Sequence, residues 1–390
     1  MPALPFWKLK REIWRLGRQA MGAPRQTFNL LVTTYYYDLV QARQRRVLSG
    51  RIRQTDKVAV YLIFPNAGVL RSHIQALDYV IASGYAPLVV SNVPLTPADE
   101  AAILERCHEF IQRPNVGYDF GGYRDAVLHL GQRVKSLRRL VLLNDSVWFP
   151  LPGGMDWLAR AEGLGVDYAA AAWAAAVKHT NPEDFERSTW VVNKSLRNFH
   201  YASYALSISD RILKNNGFLQ FWKRLKLTSE KNRTVRRGEM GLTRWVVTHG
   251  FSHGATTELL DFPTYLKSLS EADLRTAFDR LISMADPEMK QFRKEFAARL
   301  TTGGATRQQV EQIIICNVAR QGASYAVADL LVRKFGFAFL KKSPAGHDPE
   351  TAATMRMIAD DLTGEAGATI RDEMAMIRSR NANRPDAPAK

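Results

Sequence analysis

Three short apolar runs set between helix-like segments constrain this chain more than any other feature. Val58–Phe64 (VAVYLIF) has no alternation of polar and apolar positions. A strand open to water on one face alternates, so such a run belongs to a strand buried on both faces of a parallel sheet. Ala86–Ser91 (APLVVS) reads as a second strand, and Arg139–Leu143 (RLVLL) as a third that ends abruptly in Asn144-Asp145-Ser146. Between the first two, Val69–Ser83 has helical character, with Gly84 as its stop. Thr96, Pro97 and Asp99 supply an N-cap, a first-turn proline and an acidic third position for a helix expected to reach about Phe110. This rhythm predicts an α/β fold with a mostly parallel, Rossmann-like sheet flanked by helices, where ligands bind beyond the carboxyl ends of the strands.

The rest of the chain divides around that core. After about Tyr265 the pattern turns helical, with breaks at Gly303-Gly304 and Pro344-Ala345-Gly346. We expect a basic amphipathic arm over 1–56, the α/β domain over 57–265, a helical accessory region over 266–379 and a disordered tail over 380–390. Cys107 and Cys316 lie far apart, which excludes a disulfide scaffold and a cysteine zinc site and predicts two free thiols.

Charge narrows the partners. Basic residues exceed acidic ones by 16, and eleven Lys and Arg in residues 1–53, against Glu12 and Asp38, hold nine of that excess. The balance calls for an acidic partner without choosing among nucleic acid, anionic membrane and a pyrophosphate ligand. Phe6, Trp7, Leu9, Ile13, Trp14, Leu16 and Met21 recur at helical spacing within the basic arm. That pattern suits a helix lying in a membrane interface, or equally one packed on its own domain. Peripheral membrane contact through residues 1–25 and a cytoplasmic location at the inner membrane face are expected on this ground. No apolar run approaches the roughly 18 residues of a membrane span, and no apolar core with a cleavage site follows the basic N-terminus, so export is not expected.

Two polar motifs fall at strand ends. Asn115-Val116-Gly117-Tyr118-Asp119-Phe120-Gly121-Gly122-Tyr123-Arg124-Asp125 combines three glycines, which permit tight turns and close ligand approach, with two carboxylates and a guanidinium near a helix start. Such a loop can hold ribose hydroxyls and a pyrophosphate, and it is also ordinary loop geometry. Val141-Leu142-Leu143-Asn144-Asp145-Ser146-Val147-Trp148 places one carboxylate just past a buried strand. Asp145 there can hold Mg²⁺ or Mn²⁺ bridging two phosphates, or serve as a turn aspartate.

In this order the motifs resemble inverting GT-A glycosyltransferases. The strings NVGYDFGGYRDAV and LVLLNDSVWFPL are most similar to the rhamnan synthesis protein F family, and the resemblance continues through His200–Tyr204 and Phe218–Trp222 to Gly238-Glu239-Met240-Gly241-Leu242-Thr243-Arg244. It covers roughly residues 57 to 265.

The resemblance implies a GT-A-like fold and a hexosyltransferase that takes a sugar, with rhamnose the candidate in view of the family, from a dTDP-, UDP- or GDP-linked donor to a glycan or lipid-linked acceptor. It implies that Asp119 faces the nucleotide, with Asn115, Gly117, Gly121, Arg124 and Asn144 around it. Asp145 would coordinate a divalent metal, and Glu239 would be the general base that inversion needs. Glu239 also reads as a carboxylate that stabilises a helix start. The motif has Asn144 and Ser146 where Asp-x-Asp enzymes carry carboxylates, so Arg236, Arg237 and Arg244 are alternative sources of charge for the leaving group.

Other readings remain. A catalytically silent relative that binds polyanions or glycans needs neither Asp145 nor Glu239, and a nucleotide-dependent hydrolase would release free sugar. His249 and His253 are four apart, but Gly250 and Gly254 argue against a zinc-binding helix. Serine-hydrolase and P-loop signatures are missing, and neither a ribonucleoprotein motif nor a groove-reading module supports specific nucleic-acid binding.

Overall fold

The computed structural model describes residues 32–174, 181–196, 198–228 and 230–382. The segment 1–25, with its expected membrane contact, and residues 383–390 of the expected disordered tail lie outside the described residues. Twelve strands follow one another among the described residues. They are β1 (Arg46–Ser49), β2 (Lys57–Ile63), β3 (Ala86–Ser91), β4 (Glu109–Gln112), β5 (Arg139–Asn144), β6 (Val147–Trp148), β7 (Tyr168–Ala170), β8 (Trp173–Ala174), β9 (His200–Tyr201), β10 (Ala205–Ser209), β11 (His253–Ala255) and β12 (Leu340–Lys341). Eight form one sheet in the order β1-β4-β3-β2-β5-β10-β7-β11, while β6 pairs with β12 and β8 with β9.

The sheet is parallel from β4 through β3 and β2 to β5, and again between β7 and β11. Strand β10 runs antiparallel between β5 and β7, and β1 closes the opposite edge antiparallel to β4. The expected α/β fold is therefore present, with β2 as the central strand. Val58, Val60, Leu62 and Ile63 are each no more than 2% exposed. Burial at that level stabilises by about 1.5–3 kcal/mol for each such side chain.

One expected boundary is corrected. The helix begins as read, with Thr96 Oγ1 accepting from Asp99 N at 3.2 Å, but it spans Pro97–Leu104 and does not reach Phe110. Phe110 pairs with Val89 in β4 and is fully buried, so sheet pairing overrides the helical continuation.

Both flanking regions contribute to the domain. Residues 32–39 are helical, Tyr37 is fully buried with its hydroxyl on Asp125, and Leu227 N donates to Thr34 Oγ1 at 2.9 Å. The C-terminal region carries the helices Glu271–Asp279, Pro287–Thr301, Arg307–Gln321, Pro349–Asp360 and Gly364–Ala382, with Gly303 and Gly304 in a break between two of them. It surrounds Trp148 with Leu340, Met355, Ile358, Ile370 and Met374 in a second apolar cluster. Buried Glu373 ties that cluster to the sheet domain, accepting from Ser72 N at 2.9 Å, Ser72 Oγ at 2.7 Å and Trp148 Nε1 at 2.8 Å. Cys107 and Cys316 are buried free thiols. Among the described residues no helix is long and apolar enough to cross a membrane.

Candidate active site

Register decides where the two motifs meet. Strands β2 and β5 align Leu62 with Asn144, so both end at the same edge of the sheet. There Asp145 N donates to Leu62 O at 3.0 Å, and Asp145 Oδ2 accepts from Phe64 N at 2.7 Å. His73, on the helix Arg71–Ala82, accepts from Leu70 N at Nδ1 at 3.1 Å. That bond leaves the proton on Nε2, which lies 3.3 Å from Asp145 Oδ2. Burial works to raise the Asp145 pKa, but the His73 imidazole, the Lys342 charge and the Phe64 N–H outweigh it and hold the carboxyl below its ordinary value.

Asp119 occupies the first turn of the helix Tyr118–Leu130. The chain enters that helix through two left-handed residues, Gly117 at φ 81° and Tyr118 at φ 49°, a conformation costly for a tyrosine. Asn144 Nδ2 donates to Asp119 Oδ2 at 3.1 Å, and Asn144 Oδ1 accepts from Ser146 N at 3.1 Å and from the Ser146 hydroxyl. Burial, then the charge of Asp145, lift the Asp119 pKa to about 6; Glu239 adds to the rise, while Lys341 and Lys231 oppose it. The two motifs thus share one electrostatic site.

Glu239 reaches this site on a π-helical turn, Arg236–Met240, that precedes the helix Gly241–Thr248. Gly238 permits the approach, because a Cβ there would lie 2.2 Å from the Phe120 ring. Glu239 Oε1 accepts from Ser203 N at 3.1 Å and from the Ser203 hydroxyl, and His200 Nε2 is 3.7 Å from Oε2. Tyr123 OH donates to Ser203 O at 2.9 Å, which fixes this loop against the helix that carries Asp119. The Glu239 carboxylate is therefore held by the loop before β10. His200, at the start of the segment His200–Tyr204, lies beside it.

Other residues read as ligands are committed elsewhere. Arg124, 4% exposed, gives its guanidinium to Asp38 at 2.7 and 2.8 Å and to Trp222 O at 3.1 Å. The guanidinium expected at the nucleotide thus has its donors on Asp38 and Trp222 in this structure. Asp125 is likewise buried, accepting from Arg113 Nε at 2.7 Å. Gly121 is a packing position, since a Cβ would meet Val116 O at 2.0 Å. Asn115 and Gly117 line an open cleft of about 420 Å³ with Tyr36 and Tyr118. Arg236 and Arg244 line a separate cleft of about 500 Å³ with Asn198 and Met240.

Lys341 was missed in the sequence. It arrives on β12, which pairs with β6 directly after Asp145, and its Nζ lies 3.4 Å from Ser146 Oγ. The apolar Phe335–Leu340 run (FGFAFL) ahead of Lys341-Lys342 is the signal that marks a strand there.

Among the described residues no group of three or more His, Cys, Asp or Glu side chains converges on a metal position. A hard divalent ion that takes most of its ligands from water and substrate phosphates needs only one or two carboxylates. Asp145 and Asp119 fit that requirement: burial and then the Asp145 charge raise the Asp119 pKa, and a cation held by these carboxylates would offset the charge part.

Comparison with known proteins agrees with the motifs. Residues 88–302, a little over half of the chain, match the family model described as rhamnan synthesis protein F. The uncharacterized protein y4gN of Sinorhizobium fredii (strain NBRC 101917 / NGR234) is 26% identical over 336 residues, covering 86% of this chain and 83% of that protein. Likenesses to solved structures are distant. The mannosyltransferase PcManGT from Pyrobaculum calidifontis, in complex with GDP-Man and Mn²⁺, matches at 11% identity over 92% of each chain with a TM-score of 0.33. The core-mannan synthase A of Aspergillus fumigatus, in its Mn/GDP form, matches at 11% identity over 45% of this chain and 65% of its own, with a TM-score of 0.28. This chain thus spans less than two thirds of the latter's length.

Proposed function

Because the chain belongs to the rhamnan synthesis protein F family, we propose that it is a hexosyltransferase using a nucleoside-diphosphate sugar. The observation that carries this reading is the meeting of Asp119, Asn144, Asp145 and Glu239 at the carboxyl edge of β2 and β5, within mutual electrostatic reach. In this reading Asp119 and Asn144 face the donor nucleotide, and Asp145, steadied by His73 and Phe64 N–H, is the principal ligand of a divalent ion with Asp119 beside it. Such an ion, when bound, neutralises diphosphate charge. Glu239 takes the proton of the acceptor hydroxyl, with Ser203 orienting its carboxylate, so that the acceptor oxygen attacks C1 from the face opposite the leaving diphosphate. The donor sugar, rhamnose in keeping with the family's description, goes to a glycan or lipid-linked acceptor. Contact of residues 1–25 with an anionic membrane surface rests on their sequence alone.

Calorimetry with dTDP, UDP and GDP, with and without Mn²⁺, tests the reading. We expect one nucleotide to bind with metal enhancement and Asp145→Ala to weaken it. No binding of any of the three would overturn the transferase assignment in favour of a silent polyanion-binding role.

A further inference from the structure

The ammonium of Lys341 stands beside the candidate site without a carboxylate of its own. Backbone pairing fixes it in place: Leu340 and Lys341 pair with Trp148 and Val147, and Lys342 N donates to Ser146 O at 3.0 Å. Leu340 is 1% exposed within the second apolar cluster, so the segment is anchored on its other side as well. The ammonium lies 4.0 Å from the centroid of the Tyr204 ring and 5.6 Å from that of Tyr325. Its hydrogen bond to Ser146 Oγ is long, at 3.4 Å.

An ammonium has three donors and no acceptor. Here one is partly used, and among the described residues Lys341 makes no ion pair, although Asp119 and Glu239 attract it from farther away. The side chain is half-buried and its bond to Ser146 is exposed, so the ammonium is open to an incoming anion, which it would bind more strongly than a neutral hydroxyl. The arrangement lacks an anionic partner. The space concerned adjoins Ser146, beside the position of Asp145, where a donor diphosphate would lie.

We propose that Lys341 binds the donor's diphosphate directly, placing a charge-assisted hydrogen bond on the oxygen that leaves the sugar. The proposal rests on the transferase reading. In the reaction the acceptor oxygen forms its bond to the sugar C1 as the bond from C1 to the β-phosphate oxygen breaks. The acceptor proton passes to Glu239, and the bonding electron pair remains on the β-phosphate oxygen, where Lys341 meets the new charge. The C-terminal region thereby supplies the cation at a motif that has Asn144 and Ser146 in place of carboxylates.

Calorimetry on full-length wild type, Lys341→Met and Lys341→Arg tests this, using whichever of dTDP, UDP and GDP binds the wild type, its monophosphate and its nucleoside, in Mn²⁺ and in EDTA. Loss of one charged hydrogen bond predicts that Lys341→Met weakens the diphosphate roughly tenfold to a hundredfold. The monophosphate and nucleoside should change far less, and Lys341→Arg should recover part of the loss. Wild-type affinity for the diphosphate in Lys341→Met, or equal losses for all three ligands, would overturn the proposal and leave the transferase reading standing. If wild type itself binds no nucleotide, both fall together. Should Lys341→Met fail to melt cooperatively, the comparison of Lys341→Arg with Lys341→Gln decides the matter on the same criteria.

Discussion

Asp119→Asn should make the unliganded protein more stable at neutral pH. The substitution keeps the shape of the side chain and an oxygen able to accept from Asn144 Nδ2, and it removes a charge that burial and Asp145 disfavour. Raising the carboxyl from its ordinary 3.8 to about 6 is worth about 3 kcal/mol at about 1.4 kcal/mol per pH unit. Screening at this partly exposed group reduces the expected gain to about 1–3 kcal/mol. The sign follows from proton counts. Between about pH 4 and pH 6 the folded wild type holds more protons at Asp119 than the unfolded chain, so its stability falls as pH rises through that window. The advantage of Asp119→Asn is then close to zero at the acid end and complete above about pH 6. Urea unfolding of both proteins across this range, without nucleotide or metal, measures it. A variant no more stable than wild type at neutral pH, or one whose advantage grows toward acid, would refute the electrostatic reasoning.

Four further outcomes are expected. Gly238→Ala drives a Cβ into the Phe120 ring, and urea unfolding should register a loss of about 1–3 kcal/mol. Glu239→Gln should leave nucleotide affinity nearly unchanged while transfer to acceptor falls by about 10²–10⁴-fold; retained turnover removes Glu239 from the role of base. His73→Gln disturbs the support of Asp145 and should weaken the Mn²⁺-dependent part of nucleotide binding by about tenfold or more, whereas metal-free binding stays as it was. Glu373→Ala strands the Ser72 and Trp148 donors beside the Lys342 charge, and thermal and urea unfolding should show a cost of about 3–5 kcal/mol.

Much of the frame was legible in the residues. β3 spans Ala86–Ser91 and β5 spans Arg139–Asn144, nearly the runs read as strands, because each is apolar enough to be buried on both faces. The Thr96 cap was readable because capping is local chemistry. What depends on distant pairing was not. Phe110 and Ile111 could continue a helix, and only β3 beside them makes them a strand. Arg46–Ser49 lay in a stretch read as a basic arm, yet β4 takes it in as an edge strand. At the site, Asp119 and Asp145 could be picked out as carboxylates at strand ends, whereas Arg124 carried the same local signal and is spent on Asp38. His73 and Ser203 had no local signature, and Lys341 had only the apolar run ahead of it, since their importance arises from register and from a strand contributed far downstream.

The pairing of β6 with β12 also orders events during synthesis. Trp148 leaves the ribosome about 190 residues before Leu340, its partner across the ladder, an interval of roughly 10–40 s at ordinary translation rates. Throughout that time a nascent chain can assemble the parallel strands and both glycine-rich and acidic motifs, yet β6 has no neighbour and Trp148 has no cover from Met355, Ile370 or Met374. Completion of this ladder thus waits for Leu340 and Lys341. A chain released before Leu340 would carry both motifs without the ladder that covers Trp148.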